Sequence, residues 1–531
     1  MNASKPPVPP PLRSKPKMVP KICGGDYEVA NYIENDPTGT GDAARAAKLL
    51  LAEIDGVPAF NRQFWLALSA RNKKLVEIAT DRGRLFLPSN GGSIYIDLDH
   101  LELAMPEVRS CLDHEAAMRA MCLLARDAMR KANEKLAAAG GDERIRVRLN
   151  NTDGQGNSFG THLNVMVHRD AFRRMTSGGT ISRFFGSFCA ATTVLGQGKI
   201  GSENGRDPIP YQWSQRADFF HSKNLIGEDT QAPNRVVWNT RDESHCDERE
   251  LARLHCIFYD HVFCLNAPLK VWLLQVALAM EEARVTPVDL TLAEPLPAVI
   301  GWSHDLGLRN KARLLADNSR VTSAEWLSMF LDRVADFLPS LEGIVPDSPR
   351  MFGIAVEIAD LLRQRDYAAL SSKMDAFAKL ALIRQTKEAH GLDWNSPQLK
   401  VIDQIYASLD EDEGIIWQLE AAGAVETLAK PERIAHLKSN PPDDTRASIR
   451  SKLLRTIPLD DIQRVDWGEL AFELDVADRR RRILLTFDPL NKLEPGSTLD
   501  RATSSHELAD ALNLSPARAE TQQSAQEAIA S

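Results

Sequence analysis

The stretch LNNTDGQGNSFGTHLN, residues 149–164, concentrates asparagine, aspartate, glycine, serine and histidine directly after an alternating apolar run. That run consists of Ile145, Val147 and Leu149. A strand inside a core does not need such a density of polar side chains, so the stretch is typical of a functional site. Two further polar stretches, SIYIDLDHLEL at 93–103 and WNTRDESHCDE at 238–248, lie far away in sequence. Together the three predict one site built from strands of a single sheet.

Hydrophobic periodicity predicts both strands and helices around these stretches. Alternation predicts strands at about residues 22–32, 94–98, 144–150, 161–168 and 479–487. The helical period predicts a helix at 114–139 with Asp113 as its N-cap, and others at 265–283, 323–337, 352–364 and 370–385. Strands and helices come in blocks without regular βαβ alternation. This order favours an α+β fold with an antiparallel sheet over a doubly wound fold.

The composition is that of an ordinary globular protein. The 531 residues are 43% hydrophobic and 26% charged with a formal net charge of −9, which does not favour nucleic acid as a partner. No apolar run approaches the ~20 residues of a membrane span. Seven cysteines without a CxxC pair predict free thiols in a reducing cytoplasm. The Pro-rich, basic residues 1–20 and the polar residues 495–531 are predicted to be disordered tails, with one or two helical turns at HELADALNL, residues 506–514, as the alternative.

The strand faces carry groups that suit phosphoryl transfer from ATP. Magnesium prefers hard oxygen ligands, and five acids on strands with apolar backs offer them: Asp26, Glu28, Asp97, Asp99 and Glu102. Repelling carboxylates on one sheet face need a cation or raised pKa values. Arg216 and Arg241 offer the cationic donors that phosphates need. Each of these charges taken alone also fits a solvated strand face, and His162 alone also fits a hydrogen-bonded core histidine.

The ordered set of motifs resembles the Pup ligase and deamidase-of-Pup family, of the proteasome accessory factor A type. These enzymes attach or remove prokaryotic ubiquitin-like protein and are relatives of glutamine synthetase and other carboxylate–amine ligases. The motifs that carry the resemblance are CGGDYEVAN, GGSIYIDLDHLELAMPE, LNNTDGQGNSFGTHLN, WSQRADFF, NTRDESHCD, VDWGEL and LLTFDPL. They span about residues 22–490.

The resemblance implies an architecture and two ligands. It implies an antiparallel curved sheet that forms a cradle wrapped by helices, within a large ATP-binding catalytic domain at 21–430. A small C-terminal domain at 431–494 is expected to help close the nucleotide site. The implied ligands are ATP and Mg²⁺.

The resemblance also implies roles for individual residues. Expected magnesium ligands are Asp26, Glu28, Glu102 and His162. Residues expected to bind the nucleotide are Asn151, Ser158, Arg216, Arg241 and Trp467, with Trp467 packing on the adenine. Asp97 matches the family's catalytic aspartate, and Tyr95, beside the magnesium and phosphate cluster, is expected to be catalytic as well.

Four positions depart from the family's pattern and indicate a divergent member. Leu163 replaces a glutamate, Asp26 replaces a longer glutamate, and Leu101 and Ser244 each replace a proline. By strand alternation Leu163 points to the apolar face, so the His162 side of the strand is preserved.

Several activities remain open at this point. The first is a Pup-ligase-like enzyme that activates a carboxylate and forms an amide or isopeptide bond, with a Pup-like protein or another carboxylate as substrate. The second is a nucleotide-dependent amidase. The others are a phosphotransferase on another acceptor and a non-catalytic nucleotide-binding protein. The segment before Tyr95 lacks a long insertion, which favours the ligase, whereas residues 196–220 favour the amidase.

Overall fold

One nine-stranded sheet contains strands from all three polar stretches, as the sequence predicts. The computed structural model describes residues 17–60, 83–220, 225–229, 235–476 and 479–512. In chain order its strands are β1 Cys23–Glu28, β3 Val57–Pro58, β4 Leu85–Phe86, β5 Ser93–Asp97, β6 His100–Ala104, β8 Thr161–His168, β11 Ile226–Gly227, β12 Trp238–Asn239 and β13 Leu251–Cys256. Across the sheet their order is β11-β12-β13-β8-β1-β6-β5-β4-β3. Neighbouring strands are antiparallel except β11 and β12, which are parallel.

Smaller sheets flank the large one. They consist of β2 Ala30–Glu34 with β7 Arg144–Arg148, β9 Lys199–Ile200 with β10 Tyr211–Gln212, β14 Ala312–Arg313 with β15 Arg320–Val321, and a three-stranded sheet of β16 Ile462–Val465, β17 Glu469–Val476 and β18 Arg479–Thr486. The strand predicted at 22–32 is therefore two strands, because the chain leaves the large sheet after Glu28 and pairs with β7.

Several helices pack against the large sheet, and others pack on one another or on the three-stranded sheet. The helices in the described ranges are α1 Ala43–Leu51, α2 Cys111–Ala138, α3 Arg169–Thr176, α4 Thr180–Thr192, α5 Asn266–Glu282, α6 Pro295–Ser303, α7 Ser323–Phe337, α8 Ser348–Gln364, α9 Tyr367–Ser371, α10 Asp375–His390, α11 Pro397–Ile405, α12 Ile415–Ala421, α13 Pro431–Ser439, α14 Ala447–Thr456, α15 Thr498–Arg501 and α16 Ser505–Ala511. Helix α2 packs on β1 and β6, and α5 packs on β8. None of the helices in the described ranges is long and apolar enough to cross a membrane.

Two predicted helices differ from the observed ones, and side-chain hydrogen bonds accompany both differences. Helix α2 begins three residues early, because the hydroxyl of Ser110 accepts the backbone N–H of Leu112 and acts as the N-cap. Asp113 instead lies in the first turn and binds Arg433 at 2.8 and 2.9 Å. The helix predicted at 370–385 is divided into α9 and α10. The buried carboxylate of Asp375, in the first turn of α10, accepts two backbone N–H groups from another part of the chain.

The prediction of disordered tails is wrong where the structure describes them. Residues 495–512 form α15 and α16, which are capped by Ser497 and Ser504. Leu508 and Leu512 are fully buried, so apolar packing orders a segment whose composition is polar. At the other end, Val19 is buried and its N–H donates to Glu282 at 2.9 Å. Residues 1–16 and 513–531 lie outside the described residues.

A second hydrophobic core lies beside the large one. It is formed by residues between 449 and 512 together with three residues of the N-terminal half, Val57, Ala59 and Phe86. Helix α13 packs on α2 instead, and its Leu437 belongs to the main core. The second core therefore joins the three-stranded sheet to β3 and β4 of the large sheet. The predicted domain boundary at residue 430 stays a prediction.

Candidate active site

Strand register brings the predicted acidic residues together on one sheet face. Glu28 lies opposite Glu102, and Glu102 lies opposite Tyr95 on the next strand. Two residues back along β1, Asp26 lies opposite His162 of β8. Side chains that are directly opposite in an antiparallel pair share a face and have Cβ atoms about 5 Å apart. The five residues therefore form two adjacent cross-strand rows.

Two residues of the first row, Glu28 and Glu102, form a cluster of three carboxylates with Asp97. One oxygen from each of Glu28, Asp97 and Glu102 lies within 4.8 Å of the other two. Burial raises the pKa of Glu28, and burial and the neighbouring carboxylates raise the pKa of Glu102 well above its usual range. A divalent cation would relieve this repulsion, and the donor set is the one that Mg²⁺ prefers. Asp99 is exposed and lies outside this cluster.

The second row contributes a mixed cluster. A ligand atom from each of Asp26, His162 and His255 lies within 4.8 Å of the other two. Burial and the nearby Arg216 lower the pKa of His162 to about 3, and burial also lowers the pKa of His255. Both rings are therefore neutral at pH 7, which is the form that binds a metal. The sequence analysis did not predict His255, because nothing in LARLHC reveals that β13 lies beside β8.

An amide bridges the members of this mixed cluster. Asn164 lies opposite His255 in the sheet, and its Oδ1 lies 2.7 Å from the Nδ1 of that ring. Its Nδ2 donates to Asp26 at 2.9 Å. Asn164 therefore fixes the orientation of both neighbours, as a residue behind a metal ligand does.

Gly160 lies where the two clusters approach each other. Its N–H donates to Glu28 Oε2 at 2.6 Å, and its carbonyl accepts the N–H of Glu28 at 3.0 Å. A Cβ at this position would lie 2.5 Å from His162 Nε2 and 3.1 Å from Glu28 Oε1. A glycine is required here because any side chain would displace both groups.

Three predicted nucleotide-binding residues are engaged with the protein itself. Arg216 is buried, and its guanidinium donates to Ser158 Oγ and to the carbonyls of Phe159 and Ile257. Asn151 is also buried; its Nδ2 donates to Phe159 O and Thr161 Oγ1, and its Oδ1 accepts a backbone N–H. A direct contact with a nucleotide would require some of these bonds to break. The structure instead places Arg216 and Asn151 behind the loop that ends at Gly160.

Leu163 lies where the sequence analysis expects it, whereas the nucleotide-binding role of Arg241 stays a prediction. Arg241 is exposed, and its positive charge contributes to lowering the pKa of both His162 and His255. Leu163 is 2% exposed and packs in the main core. The replacement of the family's glutamate therefore leaves the polar face of β8 intact.

A pocket connects the mixed cluster to the C-terminal part of the chain. Its lining includes Gly24, Asp26, Asn164, Arg253 and Trp467. A Cβ at Gly24 would meet no atom within 4 Å, so the backbone there borders open space. The Trp467 ring lies edge-on to Phe86, with 5.4 Å between the ring centroids. The predicted adenine-packing residue and a predicted metal ligand therefore face the same pocket.

Glu107 joins the large sheet to the C-terminal part of the chain. Its carboxylate accepts from Arg446 Nε at 2.7 Å and from Arg450 Nη2 at 2.5 Å. Arg450 also donates to the carbonyl of Trp467, and its guanidinium carbon lies 4.9 Å from the Trp467 ring centroid. This group of residues, which the sequence analysis did not predict, fixes Trp467 relative to β6.

We expect Glu107→Gln to destabilise the protein and to remove a pH dependence. Burial alone would raise the pKa of Glu107, but Arg450 and Arg446 outweigh it and lower the pKa to about 2. A lowered pKa gives stability that is present above the unfolded value of about 4.3 and is lost as the pH falls through the folded value. In the wild type, the free energy of unfolding measured with denaturant should fall by about 3 kcal/mol between about pH 4.3 and pH 2. The Glu107→Gln variant should lack this decrease.

The matched control for this prediction is Glu494→Gln. Glu494 forms an exposed pair with Lys492 at 3.6 Å, and surface pairs contribute ~1 kcal/mol or less. Equal stability curves for the two variants at pH 7 would contradict the role of Glu107.

Comparison with known proteins finds a matching family and similar sequences. The sequence model of the family described as Pup-ligase protein matches residues 56–471. The Pup deamidase/depupylase of Mycolicibacterium smegmatis is 30% identical over 515 residues, covering 93% of this chain and 99% of the relative. The Pup–protein ligase of Acidimicrobium ferrooxidans is 30% identical over 406 residues, covering 75% of this chain and 85% of the relative.

Two solved structures share the fold. One is a complex between prokaryotic ubiquitin-like protein Pup and its ligase PafA, with a TM-score of 0.72, 21% identity and 91% of each chain covered. The other is the Pup ligase PafA in complex with ADP, with a TM-score of 0.67, 23% identity, and 81% of this chain and 91% of that chain covered. They confirm the predicted α+β fold with an antiparallel sheet wrapped by helices. The family match over most of the sequence and the similarity to these relatives show that the chain belongs to the Pup-ligase family.

Proposed function

We propose that the protein is an ATP- and magnesium-dependent, Pup-ligase-like enzyme that activates a carboxylate by γ-phosphoryl transfer and forms an amide or isopeptide bond. One observation carries the proposal: a single pocket is lined both by Trp467 and by Asp26 of the mixed cluster. An adenine packed on Trp467 directs its phosphates toward the two clusters. The structural relative solved in complex with ADP supports a nucleotide in this fold.

The carboxylate cluster has the chemistry of a site for Mg²⁺, because Glu28 and Glu102 offer oxygens beside Asp97. Asp26, His162 and His255 add one oxygen and two neutral imidazoles, and imidazole suits Mg²⁺ less well than oxygen does. Magnesium bound there would neutralise the negative charge of the phosphoryl group in transfer. Arg241 lies on the solvent side of His162 and His255 and is assigned to the phosphates. Arg216 and Asn151 are assigned to holding the Gly160 loop.

Asp97 is assigned to proton transfer. A carboxylate is a poor electrophile, so its oxygen first forms a bond to the γ-phosphorus while the bond to the bridging oxygen of ADP breaks. An amine then attacks the acyl carbon and phosphate leaves. The amine must lose a proton, and Asp97, which is not buried, is positioned to accept it.

A Pup-like protein is the proposed source of the carboxylate. The relatives named Pup–protein ligase act on Pup by name, and one structural relative is a complex with Pup. We place the enzyme in the cytoplasm. All seven cysteines are free thiols, six of them buried, which supports a reducing compartment.

A nucleotide-dependent amidase is the second candidate, and the extent of the matches favours it. Relatives named depupylase match 93% of this chain and 99% of their own length. Relatives named ligase match 75–76% of this chain and 85–87% of their own length at similar identity. The same site would then bind the nucleotide without consuming it, while water attacks the amide.

The fate of ATP distinguishes these activities. We would incubate the protein with Mg²⁺, ATP, a lysine-bearing acceptor and a Pup peptide ending in glutamate or in glutamine. ADP formed one-for-one with a conjugate identifies a ligase, and ammonia released from the glutamine peptide without ADP identifies an amidase. ADP formed with a phosphorylated product identifies a phosphotransferase. Bound nucleotide without any product contradicts all three.

We expect Trp467→Ala to weaken ADP binding about 10- to 100-fold, since alanine replacement of an aromatic ring that stacks on a base costs ~1–3 kcal/mol. Trp467→Phe keeps a ring and should retain most of the affinity. Isothermal titration with ADP and Mg²⁺ measures the dissociation constants. An unchanged constant for Trp467→Ala would place the adenine elsewhere.

A further inference from the structure

The two ends of the polar sheet face have different surroundings. At one end, Gly24 of β1 lines the pocket that Trp467 also lines. At the other end, Glu28 ends β1, and the hairpin of β5 and β6 turns between Asp97 and His100. The strand from Gly24 to Glu28 spans roughly 13 Å, because a strand rises about 3.3 Å per residue. On the proposed function, the base and the reacting groups therefore lie at opposite ends of the face.

A loop borders the end of the face that carries Asp97. Residues 152–158, called the rim loop below, directly precede Phe159. The Phe159 ring lies edge-on to His100, with 4.6 Å between the ring centroids, and His100 pairs with Asp97 across the hairpin. Burial lowers the pKa of His100, and the negative charges that oppose this shift include Asp97 and Asp153 of the rim loop. The rim loop therefore lies beside the hairpin that carries Asp97.

The tip of the rim loop is an exposed turn whose shape depends on two carboxylates. Its exposed residues are Gly154, Gln155, Gly156 and Asn157. Inside the loop, Asp153 accepts the N–H groups of Gln155 and Asn157 at 2.7 and 3.1 Å. From outside the loop, Glu203 accepts the N–H of Gly156 at 3.0 Å and the hydroxyl of Thr152 at 2.8 Å. Glu203 therefore ties the tip to another part of the chain.

Glu203 is itself held in place by a buried network of charges. Its side chain is 9% exposed and forms an ion pair with Lys199, which is buried. Its backbone N–H donates to Asp218 at 2.9 Å. Asp218 is fully buried and lies 3.4 Å from Lys199 and 2.7 Å from the Nε2 of His304. Glu203 thus connects a rigid part of the protein to the exposed tip of the rim loop.

The inner end of the rim loop has a separate anchor. Arg216 donates to the hydroxyl of Ser158 at 2.9 Å, and Asn151 donates to the carbonyl of Phe159 at 3.0 Å. This anchor lies between the tip of the loop and the carboxylate cluster. Loss of Glu203 would therefore release the tip while the groups around the carboxylate cluster stay in place.

We propose that Glu203 is a positioning residue that holds the rim loop where a lysine-bearing protein acceptor docks beside Asp97. The inference rests on the proposed function and deepens it, because it assigns the surface that receives the acceptor. Asp97 is assigned the amine proton, so the amine approaches the end of the face that the rim loop borders. A small amine reaches Asp97 without touching the loop, whereas a protein is too large to avoid it. Gly154 and Gly156 let another polypeptide come close to the backbone of the tip.

The test uses two amines that differ in size. Conjugation is followed at saturating ATP, Mg²⁺ and Pup peptide ending in glutamate, with a lysine-bearing acceptor protein or with hydroxylamine. The nitrogen of hydroxylamine bonds to the acyl carbon while phosphate leaves, so it reports the same step without a protein surface. We expect Glu203→Ala to raise the KM for the acceptor protein about 10- to 100-fold, the scale of hydrogen bonds to a charged group. The KM for hydroxylamine and the Kd for ADP should stay within about twofold.

Matched variants separate this contact from general destabilisation. Glu203→Gln keeps an oxygen for the N–H of Gly156 and should restore part of the KM. Thr152→Val removes the hydroxyl that Glu203 accepts, so the double variant with Glu203→Ala should lose less than the sum of the two single losses. Amide hydrogen exchange at Gly156 should be about 10-fold faster in Glu203→Ala. Glu342→Ala, which replaces an exposed glutamate elsewhere, should change none of these values.

The outcomes separate the role of Glu203 from the proposed function. Equal losses with hydroxylamine and with the acceptor protein, or weaker ADP binding, would mean that Glu203 only supports the fold and would overturn the inference. An active wild type with an unchanged KM in Glu203→Ala, or additive losses in the double variant, would overturn it alone. A wild type that binds ADP but joins the peptide to neither amine would contradict the proposed function and the inference with it.

Discussion

Asp97→Asn is expected to lower product formation about 1,000-fold while ADP remains bound, within the range that general acid–base groups contribute. Asparagine keeps the shape of the side chain but cannot accept the amine proton. It also removes one of the three carboxylates that approach within 4.8 Å on this face. The measurement is single-turnover conjugation at saturating ATP and Mg²⁺, with ADP affinity determined separately by titration.

Asp99→Asn is the matched control. Asp99 lies on the same hairpin, is exposed, and stands outside the carboxylate cluster. It should retain activity within about twofold, as surface substitutions usually do. An active Asp97→Asn, or equal losses in the two variants, would contradict the assignment of proton transfer to Asp97.

Gly160→Val is expected to abolish magnesium-dependent nucleotide binding, with a loss of at least about 100-fold. Even the first added carbon would lie 2.5 Å from His162 Nε2 and 3.1 Å from Glu28 Oε1. Because the backbone of Gly160 is outside the left-handed region, the effect arises from this collision and not from backbone strain. Moving two ligand groups by about 1 Å is enough to lose a preorganised site. ADP titration at several Mg²⁺ concentrations measures this loss of magnesium-dependent binding.

Gly353→Ala controls for glycine replacement in general. Gly353 lies within α8, and a Cβ there would meet no atom within 4 Å. Its replacement should raise stability by up to about 1 kcal/mol through helix propensity. If Gly160→Val kept its magnesium dependence, the two clusters would not be the cation site.

Local patterns in the sequence predict the faces of the strands but not their order. The alternation around His162 correctly places Leu163 in the core and His162 on the polar face. His255 was missed because only the long-range pairing of β13 with β8 brings it to Asp26. Pairing between distant strands depends on the whole fold and cannot be read from a local window.

The family resemblance predicted functional roles for individual residues, which hydrophobic periodicity alone could not predict. It singled out Asp97 and Trp467 before any contact was known. It did not supply Glu107, whose importance comes from the two arginines that face it. Disorder was predicted for residues 495–512 because their composition is polar, and the alternative of one or two helical turns at HELADALNL agrees with α16.

The shared second core has a consequence for the time course of synthesis. Phe86 leaves the ribosome roughly 360 residues before Ile449 and the strands that cover it, a delay of about 20–70 s at ~5–20 residues per second. During that interval the edge of the sheet that bears β3 and β4 is without its apolar cover, and Trp467 does not yet exist. On the proposed function, a nascent chain therefore lacks the residue assigned to the adenine until this part of the chain emerges. The chain segment that covers the exposed apolar edge thus also brings Trp467 to the proposed nucleotide site.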